Sequence, residues 1–210
     1  MTTQPSVLRA DARRNRERIL EAAVRAFAEQ GADVPIDTVA KAAGVGSATL
    51  YRHFPTREAL VEAAYRNELA RVCDSAAELL ADLPPDRALR AWMDRFIAYL
   101  AAKQGMADAL RAAVASGADP FAETLDRLGA AIDALLRAGA EAGLLRPDVD
   151  PFDVGLSLAG VGLITSSPAQ RDRSGRLLDL LLDGLRHGAT APRRGRLRAG
   201  DAPRREATGG

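Results

Sequence analysis

One cysteine, Cys73, stands in the 210 residues. It excludes an intramolecular disulfide and fits a reducing compartment. Within a helical pattern, it reads as a small buried hydrophobe. Aromatic residues make up only 4% of the chain, and strand-like runs of Val, Ile, Thr and Tyr are missing. That argues against a core built on sheets. No apolar run approaches the roughly 18 residues of a membrane span. Residues 1–18 are polar and arginine-rich, unlike a secretory signal. A cytoplasmic protein with no membrane partner is expected. There are two histidines, His53 and His187, and no HExxH, GxSxG or glycine-rich phosphate loop. No metal-ligand spacing is present either. The expectation is therefore no enzyme, no metal and no cofactor.

What is present favours helix. Alanine, leucine and arginine dominate, and 47% hydrophobic residues suffice for a sizeable core. Net charge is only +1, but it is unevenly placed. Residues 1–57 hold nine Lys/Arg against six Asp/Glu, and residues 189–210 hold six against two. The stretch between holds 14 against 20. Basic ends on an acidic body suit a head that meets phosphate and a body that does not.

The stretch from Ile36 to Phe54 reads as two short helices joined by a tight turn. Ile36, Val39, Ala40 and Ala43 share one helical face. Gly44 is placed to stop the first helix in a left-handed conformation. Ser47 is placed to cap the second. Leu50 and Phe54 return to the core. This is the pattern of a helix-turn-helix, whose second helix enters the major groove of DNA. The outward side of that helix carries Ser47, Ala48, Thr49, Tyr51, Arg52 and His53. Hydroxyls and a guanidinium bond base edges, and the methyls of Ala48 and Thr49 suit thymine. Tyr51 and His53 have the reach for phosphates. Asp37 in the preceding helix disfavours phosphate, leaving Thr38 and Lys41 as that helix's candidates.

Several blocks in order and spacing carry a resemblance. They are Arg18-Ile19-Leu20-Glu21-Ala22-Ala23, Phe27-Ala28-Glu29-Gln30-Gly31, Ala40-Lys41-Ala42-Ala43-Gly44-Val45, Leu50-Tyr51-Arg52-His53-Phe54 and Arg57-Glu58-Ala59-Leu60. Over residues 12 to 72 the chain resembles the TetR family of bacterial transcriptional regulators. The resemblance implies an all-α chain of about nine helices. An N-terminal three-helix DNA-binding domain would precede a helical body for ligand binding and dimerisation. It also implies that Arg57 corresponds to a residue contacting phosphate.

On this reading residues 1–11 are a disordered basic arm and 12–57 the DNA-binding domain. Residues 58–188 are the effector-binding and dimerisation body, and 189–210 a disordered basic tail. Helix four, from Thr56 to about residue 81, joins head and body. Asp119-Pro120 and Asp150-Pro151 each read as a cap followed by proline in a first helical turn. The helix after Asp150 is apolar nearly all round, which demands cover on both sides. Its small residues Gly155, Ala159 and Gly162, with Leu177, Leu178, Leu181 and Leu185 of the next helix, are the expected dimerisation face. Trp92, Met93, Phe96, Tyr99, Met106, Phe121 and Leu125 are the large side chains available for an effector pocket. They point to an apolar or weakly polar effector.

The leading function is a homodimeric regulator, a repressor on a palindromic operator in double-stranded DNA, released by an unknown small-molecule effector. Two alternatives stand beside it. One is a helix-turn-helix regulator without a ligand, and the other is a helical protein-interaction module. The polar, basic face of the third helix argues against the module, because a partner-binding helix would present an apolar stripe there.

Overall fold

The computed structural model describes residues 4–31, 33–164 and 171–186. Among these residues there are nine helices and no strand. The head consists of α1 (Gln4–Gln30), α2 (Ile36–Ala42) and α3 (Ser47–His53). The connecting helix is α4 (Arg57–Asp82). The body adds α5 (Pro85–Gly105), α6 (Ala107–Ala115), α7 (Thr124–Glu141), α8 (Pro151–Ile164) and α9 (Arg171–Arg186). The head's core gathers Ile19, Leu20 and Phe27 of α1, Val39 and Ala40 of α2, and Leu50 and Phe54 from the α3 region. Leu60, Val61 and Ala64 at the start of α4 close it from below.

The helix α4 belongs to both parts. It packs on α1 in the head and on α5, α6 and α7 in the body. The Thr56 hydroxyl accepts the Ala59 N–H at 3.1 Å, as its position predicts. In the body, Trp92 is fully buried and donates its indole N–H to the Val72 carbonyl at 2.8 Å. A buried indole without such a partner would destabilise the fold, so this bond ties α5 to α4 in one register. The α5–α9 contact is fixed by charge: Arg90 Nε bonds Asp179 at 2.6 Å, and Arg186 pairs with Asp86. Head and body also touch directly. A Cβ on Gly105 would stand 2.7 Å from the Cβ of Ala28, so α5 ends hard against α1.

Three local expectations change. The helix α1 begins at Gln4, inside the stretch read as a disordered arm. Pro5 falls in the first turn, where its missing N–H costs nothing, and no breaker follows. The helix α7 begins at Thr124, not at Pro120. Asp119 instead accepts the Phe121 N–H in a local turn, and Glu123 takes a left-handed φ of 63° that interrupts the helix. Cys73 is half-buried, not buried; burial pushes its thiol above the ordinary range. The tail 189–210, with Arg193, Arg194, Arg196 and Arg198, lies outside the described residues, as does the interruption at Pro168.

Candidate nucleic-acid interface and body cavity

The angle between α2 and α3 is set by the turn. Gly44 has φ 66°, and the Val45 N–H bonds the Ala40 carbonyl at 3.0 Å. A Cβ at Gly44 would meet only ordinary contact with Arg18, so conformation and not space selects glycine. Ser47 does not cap α3. Gly46 occupies the cap position, and the Ser47 hydroxyl donates to Asp37 Oδ1 at 2.6 Å. Asp37 therefore braces α2 against α3, a role its first-turn position did not reveal.

The outward side of α3 is as the sequence arranged it. Ala48, Tyr51 and Arg52 are exposed, while Ser47, Thr49 and His53 are half-buried. Arg52 donates to the Thr49 hydroxyl at 3.0 Å, so the two polar candidates lie side by side. His53 lies on the flank of α3, in a groove it shares with Arg16, Glu62 and Arg66 near the base of α4. Lys41 is exposed and Thr38 half-buried on α2. Arg57 is turned inward. Its guanidinium donates to the Val34 carbonyl and lies 5.9 Å from the Phe27 ring centroid. In this state it locks the α1–α2 loop to α4.

A cavity of about 200 Å³ opens between α5, α7 and α8. Of the seven side chains expected around it, Phe96, Tyr99 and Leu125 line it. Trp92, Met93 and Met106 do not. Each is fully or almost fully buried in the core between helices, away from the cavity. Phe121 stands beside it without lining it, packing edge-on to Tyr65 at 5.1 Å. The sequence reading missed Lys103 and Thr124, which do line the cavity. Thr124 was hidden by the misplaced start of α7. A polar chain leaves the cavity wall for α4: Tyr99 Oη lies 2.7 Å from Tyr65 Oη, which lies 3.2 Å from Thr124 Oγ1. Arg66, one residue on, donates to the Asp119 carbonyl at 3.1 Å. The connecting helix is thus bonded to the loop that borders the cavity.

The expected dimerisation residues divide. Gly155 and Ala159 line the cavity, and a Cβ on Gly162 would stand 2.5 Å from Leu100 Cδ1. The small-residue stripe therefore admits α5 and α7 of the same chain. Leu178 and Leu185 are buried within this chain and have little surface to offer a second one. Leu177 and Leu181 are half-buried in a shallow groove with Val161 and Leu180. The exposed large apolar residues of these two helices are others: Phe152, Leu156, Leu163 and Ile164 of α8 and Leu180 of α9.

A short braced helix pair on a helical body, with a polar recognition face, defines a helix-turn-helix transcriptional regulator. Comparison with known proteins agrees. Residues 19–64 match the model for bacterial regulatory proteins of the tetR family, and residues 84–187 match the C-terminal domain of SbtR-like transcriptional regulators. A TetR transcriptional regulator from Streptomyces coelicolor is 58% identical, covers 81% of this chain and 98% of its own, and superposes with a TM-score of 0.79. A TetR regulatory protein from Mycobacterium vanbaalenii is 38% identical over 85% of this chain and 99% of its own, with a TM-score of 0.71. A helix-turn-helix regulator from Mycobacterium tuberculosis is 41% identical over 76 residues. That match spans 38% of the relative's length and 35% of this chain. The chain belongs to the TetR family of transcriptional regulators.

Proposed function

We propose that the chain works as a homodimer on a palindromic operator, acts as a repressor and is released by a small molecule in the α5–α7–α8 cavity. The observation that carries the dimer is the outward apolar face. Leu163 and Leu180 are each 70% exposed and Ile164 is 60% exposed, all on α8 and α9. Such a patch is costly in water and stable against a copy of itself. Two-fold symmetry then places two α3 helices on one side, and successive major grooves ask for a separation of roughly 34–36 Å. On this reading Arg52 and Thr49 face base edges, Ala48 a thymine methyl, and Lys41, Thr38, Tyr51, Ser47 and His53 the surrounding backbone. The head is residues 12–57 and the body 58–188, and the protein is cytoplasmic.

Release follows from geometry shared by the cavity and α4. Tyr65 is bonded to Tyr99 and Thr124, so a ligand that displaces either wall moves the helix that carries the head. A ligand shifts the head only through unequal affinity for its two positions. By linkage, operator DNA then weakens the ligand by the same factor as the ligand weakens DNA. The test takes the palindrome protected by the protein in its own upstream DNA. A bound small molecule is titrated into free protein and into operator-saturated protein. Unequal affinity, mirrored in the operator titration, supports the reading. Equal affinity removes release by ligand and leaves DNA binding untouched.

A further inference from the structure

The cavity wall is mostly apolar, with Leu100, Leu128, Ile132 and Leu156 on its sides. Lys103 is the one charged residue among the described residues lining it. This lysine lies in the last turn of α5 and is half-buried. Its ammonium stands 4.9 Å from the Phe121 ring centroid, a favourable cation–π placement. Among the described residues it forms no ion pair. An ammonium carries three donors, and a ring face does not satisfy them all. Burial with no carboxylate beside it holds the Lys103 pKa below the ordinary lysine value. A cation is therefore desolvated at an apolar cavity and, among the described residues, left without an anion.

The hydroxyl chain supplies a second observation. Tyr99, Tyr65 and Thr124 own three hydroxyl protons, and the two bonds between them use two. When the chain runs in one sense, one O–H remains to donate at an end, and both ends, Tyr99 and Thr124, line the cavity. Burial and the bond to Tyr65 push the Tyr99 phenol well above its ordinary pKa, so it stays a neutral donor. Thr124 is also the first residue of the 18-residue α7, where the helix dipole favours negative charge.

We infer that the cavity binds a small monocarboxylate with an apolar body, its carboxylate accepting from the Lys103 ammonium and from the spare hydroxyl of the Tyr99–Tyr65–Thr124 chain. The inference rests on the reading of this cavity as the effector site, and it replaces the apolar or weakly polar effector expected from the sequence. One cation matches one negative charge. A phosphate would bring a second charge towards Glu123 and Asp126, which flank the start of α7. The volume of about 200 Å³ lies below the roughly 300–1,000 Å³ of drug-sized sites, which sets the ligand's size.

The probes are octanoate and phenylpropanoate, each against its methyl ester and its alcohol. The readout is fluorescence of Trp92, the single tryptophan, whose ring stacks 5.4 Å from that of the cavity residue Phe96. The unmodified protein should bind an acid about ten-fold more tightly than its neutral analogues. Lys103→Met should lose that preference and keep the neutral affinity, while Lys103→Arg keeps the preference. Unchanged thermal melting of both variants shows that they fold. If neutral probes bind as well as acids, or if Lys103→Met leaves the ratio intact, the carboxylate class is wrong and the cavity reading stands. If no probe of either kind binds, both fall.

Discussion

The helices α3 and α8 each turn one side to the core, and their other sides differ in kind. From α3 the residues Ala48, Tyr51 and Arg52 face out, with Thr49 bonded beside them. From α8 the outward residues are Phe152, Leu156, Leu163 and Ile164. Water satisfies the first surface, and on the proposed reading phosphates and base edges replace it. It does not satisfy the second, so that helix calls for an apolar partner. The head and the far end of the body thus carry two surfaces of opposite chemistry, joined by α4.

The largest effect should come from charging the apolar side. Ile164→Asp with Leu180→Asp places two carboxylates on residues already exposed in the single chain, so the fold should survive. Dimer formation should be lost, and with it the second point of attachment. Operator affinity should then fall by roughly 10²–10⁴-fold. Sedimentation and fluorescence anisotropy read the two quantities. A variant that stays dimeric and binds normally would place the dimer elsewhere.

Next in size is the polar side. Arg52→Ala should cost about 1–3 kcal/mol on the operator and relax preference at one symmetric base position. Equal losses on operator and on random DNA would reassign Arg52 to the phosphate backbone.

The smallest effect sharpens what counts as the polar side. Arg57 is read from the family resemblance as a phosphate contact, yet here it bonds the Val34 carbonyl and stacks near Phe27. If that arrangement persists on DNA, Arg57→Ala should cost about 1 kcal/mol of stability, roughly 2–4 °C in Tm, and leave the salt dependence of binding unchanged. A salt slope lower by about one with an unchanged melt would mean that Arg57 leaves Val34 for a phosphate.

Much of this molecule is local and was therefore legible. Thr56 caps α4, and the Asp150 carboxylate accepts the Phe152 N–H at 2.9 Å at the start of α8, because a cap needs only residues a few positions apart. Gly44, the alternation of buried Leu50 with exposed Arg52, and the recognition face all follow from helical period and backbone conformation. The sequence by itself thus determined the order of the helices, the turn and the side of α3 that meets solvent, but not where α1 and α7 begin.

Tertiary structure decided the rest. The helix α8 is apolar nearly all round, so its period marks no inward side; only its packing shows Gly162 against Leu100 and leaves Ile164 outside. The stripe of small residues looked equally fit for a second chain, because close approach requires small side chains whichever helix approaches. Ser47 and Arg57 had several partners within reach, and the fold brought Asp37 and Val34 to them. Lys103 reads in sequence as one more solvated helix end. It becomes a half-buried cation at a cavity only because the loop before α7 folds Phe121 against it and α7 and α8 close the other walls. Burial and partnership are properties of what lies opposite a residue, and what lies opposite is fixed by contacts between segments distant in the chain.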